Sequence, residues 1–590
     1  MQRAISVFFI FLLMNYGIHS QKELHTKERS EVLDKYKWDL IDLYPSDQSW
    51  AEAKKKVLKK IDKIPSFKGT LAESSSKMLD CFKFIDEIRK EMRRLDSYSW
   101  NKFNQDTRDS KSQAMKQETN HLYTKFNTNA AFIEPEIVGI DDSTIRKFIR
   151  NEPGLKPYSF YLNDLIRRKK HTRSEVEEKL IAKTGLMALT PSSIYSIFMN
   201  TEFTGKVNEY KGTLGALMYG KINVDVYNSR VRGYKDCLEM TLYPDNIPVA
   251  VYHNLIANAN KNLDKFHRYL NIRKRLLGID TLQYSDLSTP IVTGIDPKYN
   301  VEEAKDLILE SLRPLGKEYS SIVQKAFENR WIDMYPTPGK RSGSYNDYGA
   351  YNEHPYILMN FNGRYSDVST LTHELGHALH RYFSDKNQPF PTANYSTFLA
   401  EVAALFNEEL LKKKVLEMEK IKDDDRRLHF LLANIESSIF NRAQVSEFEL
   451  KIHQEVEKDK PLTGDIISRI YLETLKKYYG HHQGVCIIPD SVGMNWAFEL
   501  LLFVRTYAIY RYATSQIAAI VFAENIFNKK KGALKKYLGF LSSGGSDYPI
   551  HILKEAGVDL TSPEPFQKIM DSMVLAMDEI DKILEKMGRS

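Results

Sequence analysis

The chain has 590 residues, 42% of them hydrophobic and 27% charged, the composition of a globular protein large enough for two or more subdomains. Lys and Arg number 84 against 77 Asp and Glu, a net charge of +7. No dense basic tract is interleaved with aromatics, so nucleic acid is excluded as an expected partner. Cys81, Cys237 and Cys486 stand far apart with no C-x-x-C pair, which excludes a cysteine zinc cage and a redox motif. One disulfide and three buried thiols both remain open.

In chain order, Arg3 precedes a nearly unbroken apolar run from Ile5 to Met14, and polar residues resume at Ser20-Gln21-Lys22. The run is too short to span a bilayer, so residues 1–20 are expected to be a cleaved signal peptide. The mature chain is then exported, periplasmic or secreted, with no stable membrane anchor. Residues 21–195 read as a helical N-terminal domain and 196–590 as the remainder. Ala53, Val57, Leu58 and Ile61 recur at helical spacing, and Met78 to Ile88 and Glu118 to Phe126 continue the pattern. Leu180-Ile181-Ala182 closes a helix before Gly185. Thr204 to Asn223 is less regular and reads as a place for a hairpin. Helices return from Pro248 to Leu277 and from Glu302 to Asn329, broken at Pro314-Leu315-Gly316. A Gly- and Tyr-rich stretch follows, with Tyr345, Tyr348 and Tyr351 as a candidate rim. Pro355 to Phe361 is rich in strand formers and ends in an Asn362-Gly363 turn. Pro563 to Met587 reads as an amphipathic helix.

The run Leu371 to His380 contains His373-Glu374-Leu375-Gly376-His377. On a helix, residues four apart share a face, so both imidazoles can meet one metal, and Glu374 can reach a water on it. A third ligand is available in Glu401, within the helix-forming run Phe398 to Leu405. Two histidines and a glutamate make a His2Glu site for one zinc ion per chain, with a position left open for chemistry. Zinc would polarise the scissile carbonyl, and Glu374 would act as general base. Glu408 is seven residues past Glu401 on the same helix face, a candidate support for a ligand histidine. Asp367 is a weaker candidate for that role, and His380 reads as a packed histidine. The strand before the motif is expected to offer a free edge to an extended peptide.

These motifs resemble the oligoendopeptidase F branch of the thimet-oligopeptidase superfamily. The likeness is carried by Gly339 to Tyr345, His354 to Phe361, His373 to His377, and Ala400-Glu401-Val402-Ala403 with Asn407-Glu408. It extends to Trp38-Asp39-Leu40 with Asp42-Leu43-Tyr44 and Trp50, and to Tyr158–Tyr161, Arg167–His171 and Glu175–Leu180. The resemblance implies a mainly α fold, a large helical metallopeptidase with a deep substrate channel and a small β-sheet beside the zinc helix. It implies zinc on His373, His377 and Glu401, Glu374 as base, and short unstructured peptides as substrates. Residues 196–590 are then the catalytic domain.

The chain departs from that family at one place. Before Tyr510-Arg511-Tyr512-Ala513-Thr514 the family carries a histidine, whereas this chain reads Phe498 to Tyr507 with none. Tyr507 and Tyr512 are therefore candidate donors to the tetrahedral intermediate, with Arg505 a charged substitute. Two alternatives follow: a non-catalytic, zinc-retaining, peptide-binding relative, and a helical extracellular interaction protein.

Overall fold

The computed structural model describes residues 27–291, 297–419, 424–433, 435 and 437–588. The expected signal segment, 1–20, lies outside them. The chain is mainly helical, with one three-stranded sheet among the described residues, and it divides into two compact units.

The first unit gathers residues from 1–169, 296–414 and 523–547. Its early part is built on the helices Asp47–Ile61, Ser75–Gln105 and Ser110–Ala130. Each starts at a side-chain oxygen that accepts backbone N–H groups, from Ser46, Ser74 and Asp109. Their apolar faces bury Trp50, Val57, Phe82, Ile85, Leu95 and Met115 in one core, and the Trp50 indole donates to the Leu95 carbonyl at 2.9 Å.

The sheet comprises β1 (Ile332–Asp333), β2 (Tyr345–Asp347) and β3 (Tyr356–Leu358) in the order β1-β3-β2. β1 runs parallel and β2 antiparallel to β3, so Ile357 stands opposite both Ile332 and Asn346. This corrects the expectation of a free edge at Pro355 to Phe361. That segment is the middle strand, hydrogen-bonded on both sides, with Tyr356, Ile357 and Leu358 all buried. The outer side of β1 is taken by the N-terminal segment, through Met334 N to Tyr36 O at 2.9 Å and Asp39 N to Arg330 O at 3.1 Å. β2 forms the other margin.

One face of β2 is tied to the Ser75–Gln105 helix. Tyr345 Oη accepts from Asn104 Nδ2 at 2.9 Å and donates to Asn101 Oδ1 at 3.0 Å. Asp347 accepts from Asn101 Nδ2 at 2.6 Å and from the Ser97 hydroxyl. Tyr345 is thus a core residue, 6% exposed, and not part of a rim.

The second unit gathers residues from 170–295, 415–522 and 548–590. Two expectations fail here. The helix Glu175–Ala188 runs through Gly185 instead of closing before it; a single interior glycine costs only about 1 kcal/mol and its neighbours are good helix formers. Thr204 to Asn223 holds no strand among the described residues: a turn at Val207–Tyr210 leads into the helix Lys211–Arg232. Glu564–Lys586 is helical as expected, and it buries Phe566, Ile569, Met570 and Met573 while packing on Leu263–Leu277. The three cysteines are free and buried. No helix among the described residues is long and apolar enough to cross a membrane.

Candidate metal centre

The motif lies on the helix Tyr365–Asn387. At its start the Asp367 carboxylate accepts the backbone N–H groups of Asn362 and Arg364 at 2.9 and 3.0 Å. That bonding satisfies open donors and complements the helix dipole, so Asp367 serves as a cap and not as support for a ligand histidine. The second ligand-bearing helix is Thr397–Glu419. The two helices touch at Gly376, where a Cβ would meet the Ala403 carbonyl oxygen and Ala404 Cα at 2.5 Å each. Asn407, fully buried, links them further: its Nδ2 donates to the Thr372 carbonyl at 3.3 Å and its Oδ1 accepts from Tyr319 Oη at 2.9 Å.

That close approach brings the three expected ligands together. The His373 and His377 rings lie 4.8 Å apart at 84°. His373 Nε2 is 3.7 Å from Glu401 Oε2, and His377 Nε2 is 3.7 Å from Glu401 Oε1. In a tetrahedral zinc site with bonds of about 2 Å, donors sit roughly 3–4 Å apart. Glu401 Oε1 is buried with no hydrogen-bond partner among the described residues. Nitrogen, nitrogen and carboxylate oxygen at this spacing, one of them otherwise unsatisfied, fit a zinc ion.

Glu408 is the residue that orients the first ligand. Its Oε1 is 2.6 Å from His373 Nδ1, and its Oε2 accepts from the Ser369 hydroxyl at 3.1 Å. With Nδ1 engaged, Nε2 faces the metal position. The electrostatics follow from burial. Desolvation pushes the Glu401 carboxyl up to about 8, against the pull of His373. Desolvation also opposes charge on His373, but the Glu408 carboxylate outweighs it and lifts the imidazole to about 9. Burial, with His373 and His380 nearby, lowers His377. Glu374 is pushed up to about 7 by burial, while His373 and a hydrogen bond from Ser344 work against the shift. Three carboxylates crowded into one dry site call for a cation.

Sequence reasoning named Tyr348 as part of a rim but missed Ser344 and Asn346 beside it. Ser344 and the Asn346 backbone lie near Glu374 and favour its charged form. The Tyr348 ring packs edge-on against Tyr395 at 6.0 Å and 73°, in the field of Glu401 and Glu374; burial pushes its phenol up to about 12. Polar residues at every second position, 344, 346 and 348, were the available signal. His380 is packed as expected: it stacks on Tyr395 at 3.7 Å and 2°, with Phe540 beside it at 4.9 Å. Burial drives its pKa down to about 3.

Arg505, Tyr507 and Tyr512 belong to the second unit, between and within the helices Leu500–Val504 and Tyr510–Phe527. Arg505 is exposed, and Tyr512 is half-buried with the Arg442 guanidinium 5.7 Å from its ring. Tyr507 is 1% exposed, packed on Tyr252 and His453, with a left-handed φ of 46°. His481, in the same unit, accepts from Ile488 N at 3.0 Å and steadies a turn.

Comparison with known proteins agrees with this geometry. Residues 199–572 match the model of peptidase family M3, and residues 136–204 match that of oligopeptidase F. The oligopeptidase PepF of Bacillus subtilis (strain 168) is 33% identical, over 95% of this chain and 89% of that protein. A crystal structure from Chlamydophila abortus superposes with a TM-score of 0.86 at 29% identity, covering 95% of this chain and all of that one. The oligoendopeptidase F of Enterococcus faecium does so with a TM-score of 0.68 at 25% identity, over 92% and 99%. Fold, ligand set and matched length agree: the chain belongs to peptidase family M3 and is a zinc metalloendopeptidase of the oligoendopeptidase F kind.

Proposed function

We propose that this chain cuts internal bonds of short, unstructured peptides, using Glu374 as general base, and that it acts outside the cytoplasm after losing residues 1–20. The observation that carries the catalytic part is the placement of Glu374. It shares a helical turn with His373 and His377, and it is buried, 6% exposed. A carboxylate on the turn that carries both imidazoles can reach a water on the metal they would hold and move its proton.

Zinc held by His373, His377 and Glu401 would supply Lewis acidity, polarising the scissile carbonyl and acidifying a water. Glu374 takes the proton from the attacking water and delivers it to the leaving amine. Glu408 keeps His373 in one tautomer and orientation through the cycle. A peptide in extended form would align with the margin of the sheet at β2.

The absence of a histidine between Phe498 and Tyr507 favours a second reading, a zinc-retaining peptide binder without turnover. One experiment separates the two. The purified chain and Glu374→Gln are incubated with a mixed pool of short peptides, and products are read by mass spectrometry. Internal cuts that vanish in Glu374→Gln support the peptidase. No cuts by either, with zinc confirmed bound, would favour the binder.

A further inference from the structure

Along a strand, successive side chains point to opposite faces. Tyr345 and Asp347 of β2 take the face of the Ser75–Gln105 helix, through Asn101, Asn104 and Ser97. Ser344, Asn346 and Tyr348 therefore take the opposite face, the one covered by the helix Tyr365–Asn387. The two outer members of this row have neighbours in the site. Ser344 acts on the Glu374 carboxyl, and the Tyr348 ring packs edge-on against Tyr395 at 6.0 Å, in the field of Glu401.

Asn346 lies between them. Its Nδ2 and its Oδ1 are both buried, and neither has a hydrogen-bond partner among the described residues. Its strand packs on the helix that carries Glu374, and its backbone is close enough to favour the charged form of that carboxyl. A buried amide with both ends unsatisfied is costly, and native chains rarely keep one without a use. Uncompensated costs of this kind are tolerated where function needs them.

We propose that the Asn346 side chain binds the substrate main chain next to the scissile bond. A primary amide carries a donor and an acceptor side by side, and a peptide group presents the complementary pair. One peptide unit of an extended substrate would satisfy both orphaned atoms at once. Asn346 would then hold the peptide in register with Glu374, which converts binding into orientation of the reacting bond. The inference rests on the peptidase reading of the site.

The proposal sets activity against stability, and that makes it testable. Zinc-loaded full-length protein is compared with Asn346→Leu, which keeps the branched outline without a polar atom, and with Asn346→Ser as a smaller variant. Zinc per chain, Tm and kcat/KM are measured, the last on a fluorescence-quenched nonapeptide. Asn346→Leu is expected to keep its zinc and to raise Tm by about 1–2 °C, since it removes two unsatisfied polar atoms. It should lower kcat/KM roughly tenfold or more. A set of nonapeptides N-methylated at successive positions supplies a second readout. Wild type should lose activity at one methylated position near the cut, and Asn346→Leu should show no added loss there.

A lower Tm with unchanged kcat/KM in both variants would make Asn346 a structural amide and overturn the proposal. So would an equal N-methylation penalty in wild type and Asn346→Leu. If wild type itself turns over no nonapeptide with zinc bound, the peptidase reading falls and this proposal falls with it. If wild type turns over and the variants match it, only this proposal falls.

Discussion

Gly376 lies against Ala403 so closely that a Cβ on the glycine would stand 2.5 Å from the Ala403 carbonyl oxygen. The residue between Glu374 and His377 thus sets the distance between the two helices that carry the ligands. Gly376→Ala should gain about 1 kcal/mol of helix propensity and lose about 1–3 kcal/mol to overpacking. The clash wins because backbone atoms, not flexible side chains, are in the way. The helices should part and carry Glu401 from His377. The expected result is at least a tenfold loss of zinc affinity in a chelator competition, with helical content unchanged by circular dichroism.

Glu408 acts on the metal only through His373. Glu408→Ala should weaken zinc binding roughly 10–100-fold. Glu408→Gln should weaken it less, because an amide oxygen still accepts the Nδ1 proton. Equal affinity in wild type and Glu408→Ala, measured by competition with a zinc-chelating dye, would remove Glu408 from the metal centre.

The second unit buries a charge cluster of its own. Asp225 accepts from Lys221 Nζ at 2.7 Å and Thr506 Oγ1 at 2.9 Å, with His453 Nε2 at 3.1 Å. Asp225→Ala strands a buried ammonium and should cost about 3–5 kcal/mol. Urea unfolding checks the size, and zinc per chain should stay at the wild-type value.

Acid stability follows from Glu447. Burial raises its pKa, but Lys477, Asn260 and Lys451 bring it down to about 2 from an ordinary 4.5. The Lys477 ammonium lies 2.6 and 2.7 Å from its two oxygens. A depressed carboxyl binds fewer protons folded than unfolded, so its contribution is complete above pH 4.5 and vanishes as pH falls towards 2. The contribution at neutral pH is about 3 kcal/mol. Urea midpoints should therefore fall across that window, and Glu447→Gln should flatten the fall.

Export is checked at the N-terminus. Mass spectrometry of the protein recovered from its native compartment should find Gln21 as the first residue. A mature chain still carrying Met1 to Ser20 would end the signal-peptide reading.

The catalytic ligands were legible because their geometry is local. His373 and His377 sit one helical turn apart, and Glu401 and Glu408 two turns apart, so spacing alone aligns each pair. Asn346 was passed over, since the alternation at 344, 346 and 348 sits in a Gly- and Tyr-rich stretch that reads as a loop, and the edge was assigned to the more hydrophobic β3. The Lys211–Arg232 helix was missed for a related reason. Its buried stripe contains Lys221 and Asp225 beside Leu214, Met218 and Ile222, so an internal ion pair erased the amphipathic signal. The role of Gly376 was invisible because it depends on Ala403, on another helix.

The first unit closes late in synthesis. The helix Ala533–Ser542 packs on the zinc-binding helix Tyr365–Asn387, and Phe540 lies against His380. The ribosome delivers residues 373, 377 and 401 long before it delivers 540. Until then the apolar back of the metal-binding helix has no cover. A nascent or truncated chain ending before residue 533 would carry every ligand and still lack the support that holds them in place. Such fragments should be sought among chaperone clients and protease substrates.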